Sequence, residues 1–417
     1  MKFLLAPALA LLLLLTGCAS PQPRIKPVTL NDLRDFREAR LAERLRARLV
    51  VSIRDERVRR LDTDPEQRVA QALRDEGNRM ANAVGLKLVE HYPIEALDLY
   101  VYVLEGDSAD TVDRAARHLE TAPRVHNVQR VNLFRTRSAQ PDEPGANATG
   151  SNDDPLGPLQ ALPATELARL HTIATGRGVT IAVVDTGIDL RHEDLQGAQL
   201  EARDLVGNNP DVPVETHATA VTGIMLAQAR NGVGISGIAP GARIIVLRAC
   251  WEESSDDSAY CNTFTLAKAL AAALEANVDI VNLSLTGPMD PLLVQLVEAL
   301  LARNVIVVAA NADEPDQGPF PSKLSGVISA TSRPVLARDP GPVYAPGNDI
   351  ITLLPESRYG LRDGSSISAA QVSGVAGLFR ERDPALTADA LEALLHGRGV
   401  EEEGLAGLLE ALQKAGQ

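Results

Sequence analysis

From residue 155 onward, short apolar runs alternate with helical segments, and this alternation constrains the fold more than any other feature of the chain. The runs are rich in Val, Ile and Ala, and they cover Val179–Val184, Arg243–Leu247, Asp279–Leu285, Val305–Ala310 and Gly326–Ala330. Helical segments such as Thr265–Glu275 and Leu292–Arg303 separate them. Continuously apolar strands are typical of a parallel sheet that is buried on both faces. The sequence therefore predicts a three-layer α/β domain over residues 155–417.

A smaller α+β domain is predicted over residues 67–137. Its pattern is helix, strand, helix, strand, at Arg68–Val84, Leu97–Leu104, Ser108–Glu120 and Val125–Phe134. This alternation favours a split βαβ arrangement of the ferredoxin-like kind. Residues 138–154 have almost no apolar side chain, which indicates an exposed linker that proteases can cut.

The N-terminus has the pattern of an export signal. Lys2 precedes an unbroken run of apolar or small residues, Phe3 to Leu15, which is shorter than the roughly 20 residues that a membrane-spanning helix needs. The tetrad that ends at Cys18 resembles the lipobox of bacterial lipoproteins, in which the cysteine is acylated and becomes the new N-terminus. An ordinary signal peptide with an incidental cysteine is the alternative. We expect residues 1–17 to be a signal peptide and Cys18 to carry lipid.

This reading places the protein in the cell envelope. Ala19 and Ser20 follow Cys18 and no Asp does, which by analogy favours the outer membrane, facing the periplasm or the exterior. Residues 18–66 then form a lipidated tether followed by an Arg-rich segment, in which Leu30–Leu49 has the apolar spacing of a basic amphipathic helix. In an oxidising compartment we expect Cys250 and Cys261 to form a disulfide, with two free thiols as the alternative.

Charge and composition argue against nucleic acid as a partner. The chain has 55 Asp and Glu against 41 Lys and Arg, and its formal net charge is −14, whereas phosphate binding needs a positive field. Aromatic residues make up only 3% of the chain, which leaves few side chains on which bases could stack.

Three short motifs carry the chemistry, and each lies in a turn rich in small residues. Asp185 ends an apolar strand and is followed by a Gly turn, and the carboxyl ends of parallel strands are where open sheets place their reactive groups. His217 and Ser366 each begin a helix of small residues. The order Asp, His, Ser is one of the three known orders of the serine-hydrolase triad, so these residues are predicted to act together.

With these motifs, residues 155–395 resemble a subtilisin-like serine peptidase. The family signature Asp-Thr-Gly-Ile-Asp is intact at 185–189, and the His signature is present at 217–223 with Ala218 and Ala220 in place of Gly and His. The Gly-Thr-Ser-Met-Ala block corresponds to residues 364–368. The resemblance implies that Ser366 attacks a peptide carbonyl, His217 transfers the proton and Asp185 orients the imidazole. His192 is a competing histidine, but it matches a family stretch without catalytic duty. Asp189 is interpreted as a turn carboxylate.

The same resemblance implies further assignments. Residues Ser284, Leu285, Thr286 and Gly287 match the strand that pairs with a polypeptide substrate, and residues 67–137 match the inhibitory propeptide. Thr286 and Ala312 stand where the family tends to have Gly in the first specificity pocket, which favours small or medium residues before the cut. Structural calcium is compatible with the family, but no ligands are assigned, and no other cofactor is expected.

The oxyanion hole has two candidate residues. An ungapped match puts Asp313 where the family has an Asn donor, and an ionised carboxylate cannot donate a hydrogen bond. A slip of two residues would bring Asn311 into that role instead. The leading hypothesis is therefore a lipid-anchored serine endopeptidase, and the alternative is a weakened or inactive relative that binds peptides or partners. An unrelated esterase of the α/β-hydrolase fold is disfavoured, since it predicts the order Ser, Asp, His.

Overall fold

The structure is a computed structural model that describes residues 30–61, 67–137, 155–156, 162, 164–207, 209–253, 258–312, 317–334, 341–396 and 411–415. Residues 1–41 and residues 42–417 form two separate compact units. The predicted signal peptide, Cys18, Asp313 and the predicted linker 138–154 lie outside the described residues. Within the part described, no helix is long and apolar enough to cross a membrane.

The N-terminal elements are a first helix, followed by a four-stranded antiparallel sheet with two further helices. They are α1 (Leu30–Arg46), β1 (Arg48–Arg54), α2 (Arg68–Ala83), β2 (Lys87–Ile94), β3 (Leu99–Glu105), α3 (Ala109–Leu119) and β4 (Val125–Arg130). The strand order is β2-β3-β1-β4. From β1 to β4 the chain therefore runs β-α-β-β-α-β, which is the ferredoxin-like arrangement.

The predicted start of this small domain at residue 67 is wrong, because β1 lies before it and pairs with both β3 and β4. The predicted helix over Leu30–Leu49 ends at Arg46, and the apolar run that follows becomes this central strand. The Arg-rich flanks of the run hid the strand, since they extend the helical spacing into it. Residues 49–53 are buried, as a strand between two neighbours requires.

The large domain is built on a seven-stranded parallel sheet. Its strands are β6 (Thr180–Asp185), β7 (Gln199–Asp204), β8 (Arg243–Arg248), β11 (Ile280–Leu283), β12 (Ile306–Ala310), β13 (Val327–Thr331) and β14 (Val343–Tyr344). Its order is β14-β13-β12-β11-β6-β8-β7, with every neighbouring pair parallel. The predicted α/β fold is confirmed, and all five predicted strands are present. β7 and β14 are two additional edge strands that the apolar pattern did not indicate.

Helices cover the parallel sheet. They are α4 (Ala164–Leu170), α5 (Thr216–Leu226), α6 (Thr263–Glu275), α7 (Pro291–Ala302), α8 (Ser365–Arg382) and α9 (Ala388–His396). Helices α5 and α8 pack against each other and the sheet, and α6 and α7 form a second such pair. Every residue from Ile181 to Asp185 is buried, because β6 lies at the middle of the covered sheet.

Two smaller sheets complete the fold. β15 (Ile350–Leu354) and β16 (Arg358–Arg362) form a hairpin, and β9 (Cys250–Glu252) pairs with β10 (Ser258–Asn262), which pairs in turn with β5 (Leu133–Arg137). The sequence predicted one strand over Val125–Phe134, but the chain leaves the small domain after β4, and β5 joins the large domain instead.

Candidate active site

Asp185 and His217 form a buried pair at the carboxyl end of the parallel sheet. The His217 Nδ1 atom lies 2.8 and 2.9 Å from the two carboxylate oxygens of Asp185, and Asp185 is fully buried. Because an ionised carboxylate only accepts hydrogen bonds, the Nδ1–H donates, which leaves the Nε2 atom as the proton acceptor of the neutral ring. The pair thus has the tautomer that a general base needs.

The turn after β6 fixes both residues. The backbone N–H of Thr186 donates to the Asp185 carboxylate at 2.6 Å, and the Thr186 hydroxyl accepts from the backbone N–H of Ala218 at 2.9 Å. A Cβ on Gly187 would come within 1.9 Å of the Pro213 oxygen, so only glycine fits there. The turn therefore needs all three residues of the Asp-Thr-Gly signature: Asp185 and Thr186 for these hydrogen bonds, and Gly187 for the close approach of Pro213.

The first turn of α5, which carries His217, is held by charged groups that the sequence analysis missed. Glu252, at the end of β9, accepts from the backbone N–H groups of Thr216 at 2.8 Å and of His217 at 2.9 Å. The Glu215 carboxylate accepts from Gly187 and receives two bonds of 2.8 Å from the Arg248 guanidinium. Burial raises the pKa of Glu252, against the opposing effect of the two donated N–H groups.

Ser366 lies at the same edge of the sheet. It is 3% exposed at the start of α8, its hydroxyl donates to the Ser284 backbone oxygen at 3.2 Å, and its own backbone oxygen accepts from the Ser284 hydroxyl. Because Asn282 pairs with Val183, Ser284 follows β11 at the level of Asp185 on the neighbouring strand β6. The structure thus brings Asp185, His217 and Ser366 to adjacent strand ends, with α5 packed against α8.

A cleft of about 350 Å³ opens beside Ser366. Ser284, Leu285 and Thr286, three of the residues predicted to bind substrate, line it, and so do Asn311 and Gly364. Asn311 directly follows β12, whose strand neighbours β11, and its backbone N–H donates to the Ala330 oxygen at 2.7 Å. Of the two oxyanion candidates, Asn311 is the one that the structure places in the cleft; Asp313 lies outside the described residues.

The chain itself enters this cleft. The backbone of Arg135 in β5 exchanges two hydrogen bonds with Thr286, of 3.0 and 2.9 Å, in an antiparallel bridge. On its other side β5 pairs with β10 along its whole length. The segment Leu133–Arg137 therefore lies between the two edges as an added strand, which is the manner in which extended peptides bind to a sheet.

An aromatic contact anchors this inserted strand. Phe134 is fully buried and its ring meets the ring of Phe320 edge to face, with centroids 5.6 Å apart. A Cβ on Gly287 would come within 2.2 Å of the Phe134 ring, so Gly287 provides the space for it. Gly287 was predicted to contact substrate, and in the structure the Phe134 ring of the same chain fills the space beside it.

Two residues that the sequence analysis kept out of the triad have structural partners. The His192 Nε2–H donates to the Arg358 backbone oxygen at 3.0 Å, and the His192 Nδ1 accepts from the backbone N–H of Asp194 at 3.2 Å. The Asp189 carboxylate accepts from the backbone of Arg191 and of Glu356. Both fix turns beside the site.

The predicted disulfide between Cys250 and Cys261 is present and joins β9 to β10. These residues are also paired across the two strands, so the bond ties the hairpin at its base. Among the described residues, no three His, Cys, Asp or Glu side chains are grouped as metal ligands would be.

Comparisons with known proteins agree with the geometry. A model of the Subtilase family matches residues 176–398. A thermophilic serine proteinase of Bacillus sp. strain AK1 is 30% identical over 213 residues, which are 48% of this chain and 52% of that protein. Subtilisin E of Bacillus subtilis strain 168 is 28% identical over 230 residues, or 51% of this chain and 58% of the relative. The matches therefore span little more than half the length of these relatives.

A similarity of structure extends further along the chain. The crystal structure of fervidolysin from Fervidobacterium pennivorans, described as a keratinolytic enzyme related to subtilisin, aligns with a TM-score of 0.67 at 19% identity. The alignment covers 87% of this chain and 61% of fervidolysin. At this identity the likeness establishes the fold.

Proposed function

Because the chain belongs to the subtilase family, we propose that it is a serine endopeptidase whose nucleophile is Ser366. One observation carries the proposal: the buried Asp185–His217 pair, joined at 2.8 Å, lies at the same sheet edge as Ser366. Its tautomer presents the Nε2 atom of the imidazole as a base. This is the constellation that activates a serine hydroxyl.

The reaction follows from these roles. The Ser366 Oγ attacks the carbonyl carbon of a peptide bond while His217 takes the hydroxyl proton, and Asp185 stabilises the resulting imidazolium. His217 then protonates the leaving amine, which departs and leaves an acyl-enzyme at Ser366. Water, deprotonated by His217, attacks this ester and releases the acid.

We assign the oxyanion hole to the Asn311 side-chain amide and the backbone N–H of Ser366. Asn311 lines the same cleft as Ser366 and follows the strand beside β11. Its amide carries two N–H donors for the negative charge that develops on the carbonyl oxygen. A polypeptide substrate would add to the Ser284–Gly287 edge, with small or medium residues preferred before the cut because of Thr286 and Ala312.

The test is hydrolysis of a peptide library by the purified chain and by Ser366→Ala. We expect cleavage that disappears in the variant while peptide binding persists. Binding without hydrolysis in the wild type would favour the alternative function, a peptide-binding relative that does not turn over. Cleavage that is best after Phe or Tyr would contradict the assigned pocket preference.

We also propose that the small domain inhibits the enzyme in cis and is cut from it. The Arg135–Thr286 bridge lies two residues from Ser284, whose backbone oxygen accepts the Ser366 hydroxyl. Arg135 itself lines the cleft beside Ser366, and β5 ends at Arg137, directly before the predicted linker 138–154. Asn132 and Gln129 add contacts from the small domain, since both side chains donate to the buried Asp290 carboxylate that caps α7.

Mass spectrometry of the purified chain tests this inhibition. We expect the wild type to yield fragments with a new N-terminus at Ser138 or within 138–154, and Ser366→Ala to remain whole. A fully active preparation that consists of a single uncut chain would refute the inhibitory role and leave the small domain as a permanent interaction module.

Export and lipid anchoring are proposed from the N-terminal pattern around Cys18. Incorporation of labelled palmitate into the expressed protein, with loss in Cys18→Ala, is the expected result, together with recovery in the outer-membrane fraction. Labelling that persists in Cys18→Ala, or recovery of unlabelled wild type in the soluble periplasm, would contradict the anchor.

A further inference from the structure

The N-terminus of the helix that carries His217 is capped from outside the helix. Glu215 occupies the N-cap position of α5 but its side chain makes no capping bond. Its carboxylate is used instead by Gly187, Arg248 and the backbone N–H of Glu252. Two N–H groups of the first turn donate to Glu252, whose Oε1 atom accepts from Thr216 at 2.8 Å and from His217 at 2.9 Å. A carboxylate at a helix N-terminus also has favourable electrostatics.

The capping residue belongs to the hairpin that holds the inserted strand. Glu252 pairs with Ala259 at the end of β9, and the Cys250–Cys261 disulfide ties the two strands together. The other edge of β10 pairs with β5. The disulfide-linked strands β9 and β10 therefore contact a strand in the cleft on one side and the backbone of His217 on the other.

We propose that Glu252 is a positioning residue: it sets the place of the His217 imidazole and couples it to the hairpin that pairs with β5. This inference rests on the proposed peptidase function. Glu252 acts through the His217 backbone and its negative charge, and it does not itself touch the reacting atoms. A misplacement of about 1 Å in a catalytic group can cost on the order of a hundredfold in rate, so a cap at this position affects kcat.

Three variants test the assignment in the full chain. Glu252→Ala removes the cap, Glu252→Gln keeps an acceptor oxygen but removes the charge, and Glu253→Gln is the matched control on the neighbouring exposed residue. The concentration of active sites is set by titration at Ser366, and kcat and KM are measured with one peptide across pH. Melting temperatures establish that each variant is folded.

We expect Glu252→Ala to lower kcat by about tenfold or more with little change in KM, since it disturbs the geometry of the base and not the binding strand. Glu252→Gln should lose only a few-fold in kcat because the two N–H groups keep an acceptor. Its acid limb of kcat/KM should move to lower pH, because protonated His217 loses an attractive negative charge. The other charged groups around α5, namely Asp185, Glu215 and Arg248, are the same in every variant.

The outcomes separate the inference from the function on which it rests. Absence of Ser366-dependent hydrolysis in the wild type would refute the peptidase function itself. With an active wild type, an acid limb that stays in place in Glu252→Gln, or a loss confined to KM in Glu252→Ala, would overturn the positioning role. A purely structural cap would lower the melting temperature and leave the pH profile unmoved.

Discussion

At the scale of single residues, the site depends on what surrounds each reactive group. The Asp185 carboxylate is buried between the Thr186 N–H and the imidazole, which fixes the ring orientation and tautomer. An amide in its place could present its NH₂ group to Nδ1 and stabilise the wrong tautomer.

We therefore expect Asp185→Asn to lower kcat by about ten-thousandfold, which is the loss that replacing the triad Asp by Asn causes in a serine protease. KM should change little, because Asp185 does not touch substrate. Asp189→Asn is a matched control, since an amide oxygen can still accept from Arg191 and Glu356. Equal kinetics for the two variants would exclude Asp185 from the mechanism.

A second residue-scale prediction distinguishes the two oxyanion candidates. Asn311→Ala should lower kcat by about a hundred- to a thousandfold, which is the usual loss for one oxyanion donor, while Asp313→Ala should keep wild-type kcat within a few-fold. A rise in kcat in Asp313→Asn, with Asn311→Ala unaffected, would place residue 313 in the hole and refute the assignment of Asn311. Steady-state kinetics with a single peptide suffice.

At the scale of elements, β5 differs most from its prediction. It was predicted to continue a strand of the small domain, and in the structure it pairs with β10 of the large domain. Its ring contact between Phe134 and Phe320 is its deepest anchor in the large domain. Without the Phe134 ring, β5 loses this side-chain contact and keeps its backbone hydrogen bonds. Each loss of about 1.4 kcal/mol in the free energy that holds β5 in the cleft raises the fraction of molecules with β5 released about tenfold.

Phe134→Ala should therefore raise the initial rate of peptide hydrolysis by freshly purified, unprocessed chain by about tenfold or more. Val89→Ala, a truncation of an exposed residue in the same domain, provides the control. If the two variants show the same lag before full activity, β5 does not block the cleft.

The small domain contains a pH-dependent interaction of the Asp55 carboxylate, which directly follows β1, with two arginines. Bonds from Arg57, together with the Arg124 guanidinium and against the effect of burial, lower the pKa of Asp55 below its ordinary 3.8. The ionised form is thus favoured in the folded state. Its stabilisation is present above pH 3.8 and is lost as the pH falls through the lowered folded-state pKa.

We expect Asp55→Asn to lower the free energy of unfolding at pH 7 and the difference from the parent chain to shrink as the pH falls below 3.8. Urea unfolding in a Ser366→Ala background avoids self-digestion, and exposed Asp107→Asn is the control. A difference that is constant between pH 7 and pH 3 would contradict the assigned pKa shift.

The elements also explain what could be predicted from sequence. Strands β6 and β11 were found because both faces are buried and their residues are continuously apolar. The triad candidates were found because each needs small neighbours in a fixed chain order. β1 was missed because its apolar run is flanked by arginines. Glu252 was missed because its importance depends on a contact between β9 and α5, across 35 residues of chain, which no local pattern records.

At the scale of the whole molecule, residues 42–417 form one compact unit in which the small domain, the disulfide hairpin and the parallel sheet meet at one edge. β5 fills the place where an extended substrate would pair, and the hairpin beside it caps the helix of His217. The proposed inhibition by the small domain and the proposed positioning of the base thus depend on the same hairpin.

An activated serine hydroxyl reacts covalently with electrophilic probes, so covalent labelling tests the proposed role of Ser366 as the nucleophile. We predict that a fluorophosphonate probe labels the native processed chain at a single peptide containing Ser366, and that His217→Ala and Ser366→Ala both abolish labelling while retaining the wild-type melting profile. Unchanged labelling in His217→Ala, or no labelling of a folded wild type whose cleft is free of β5, would contradict the account.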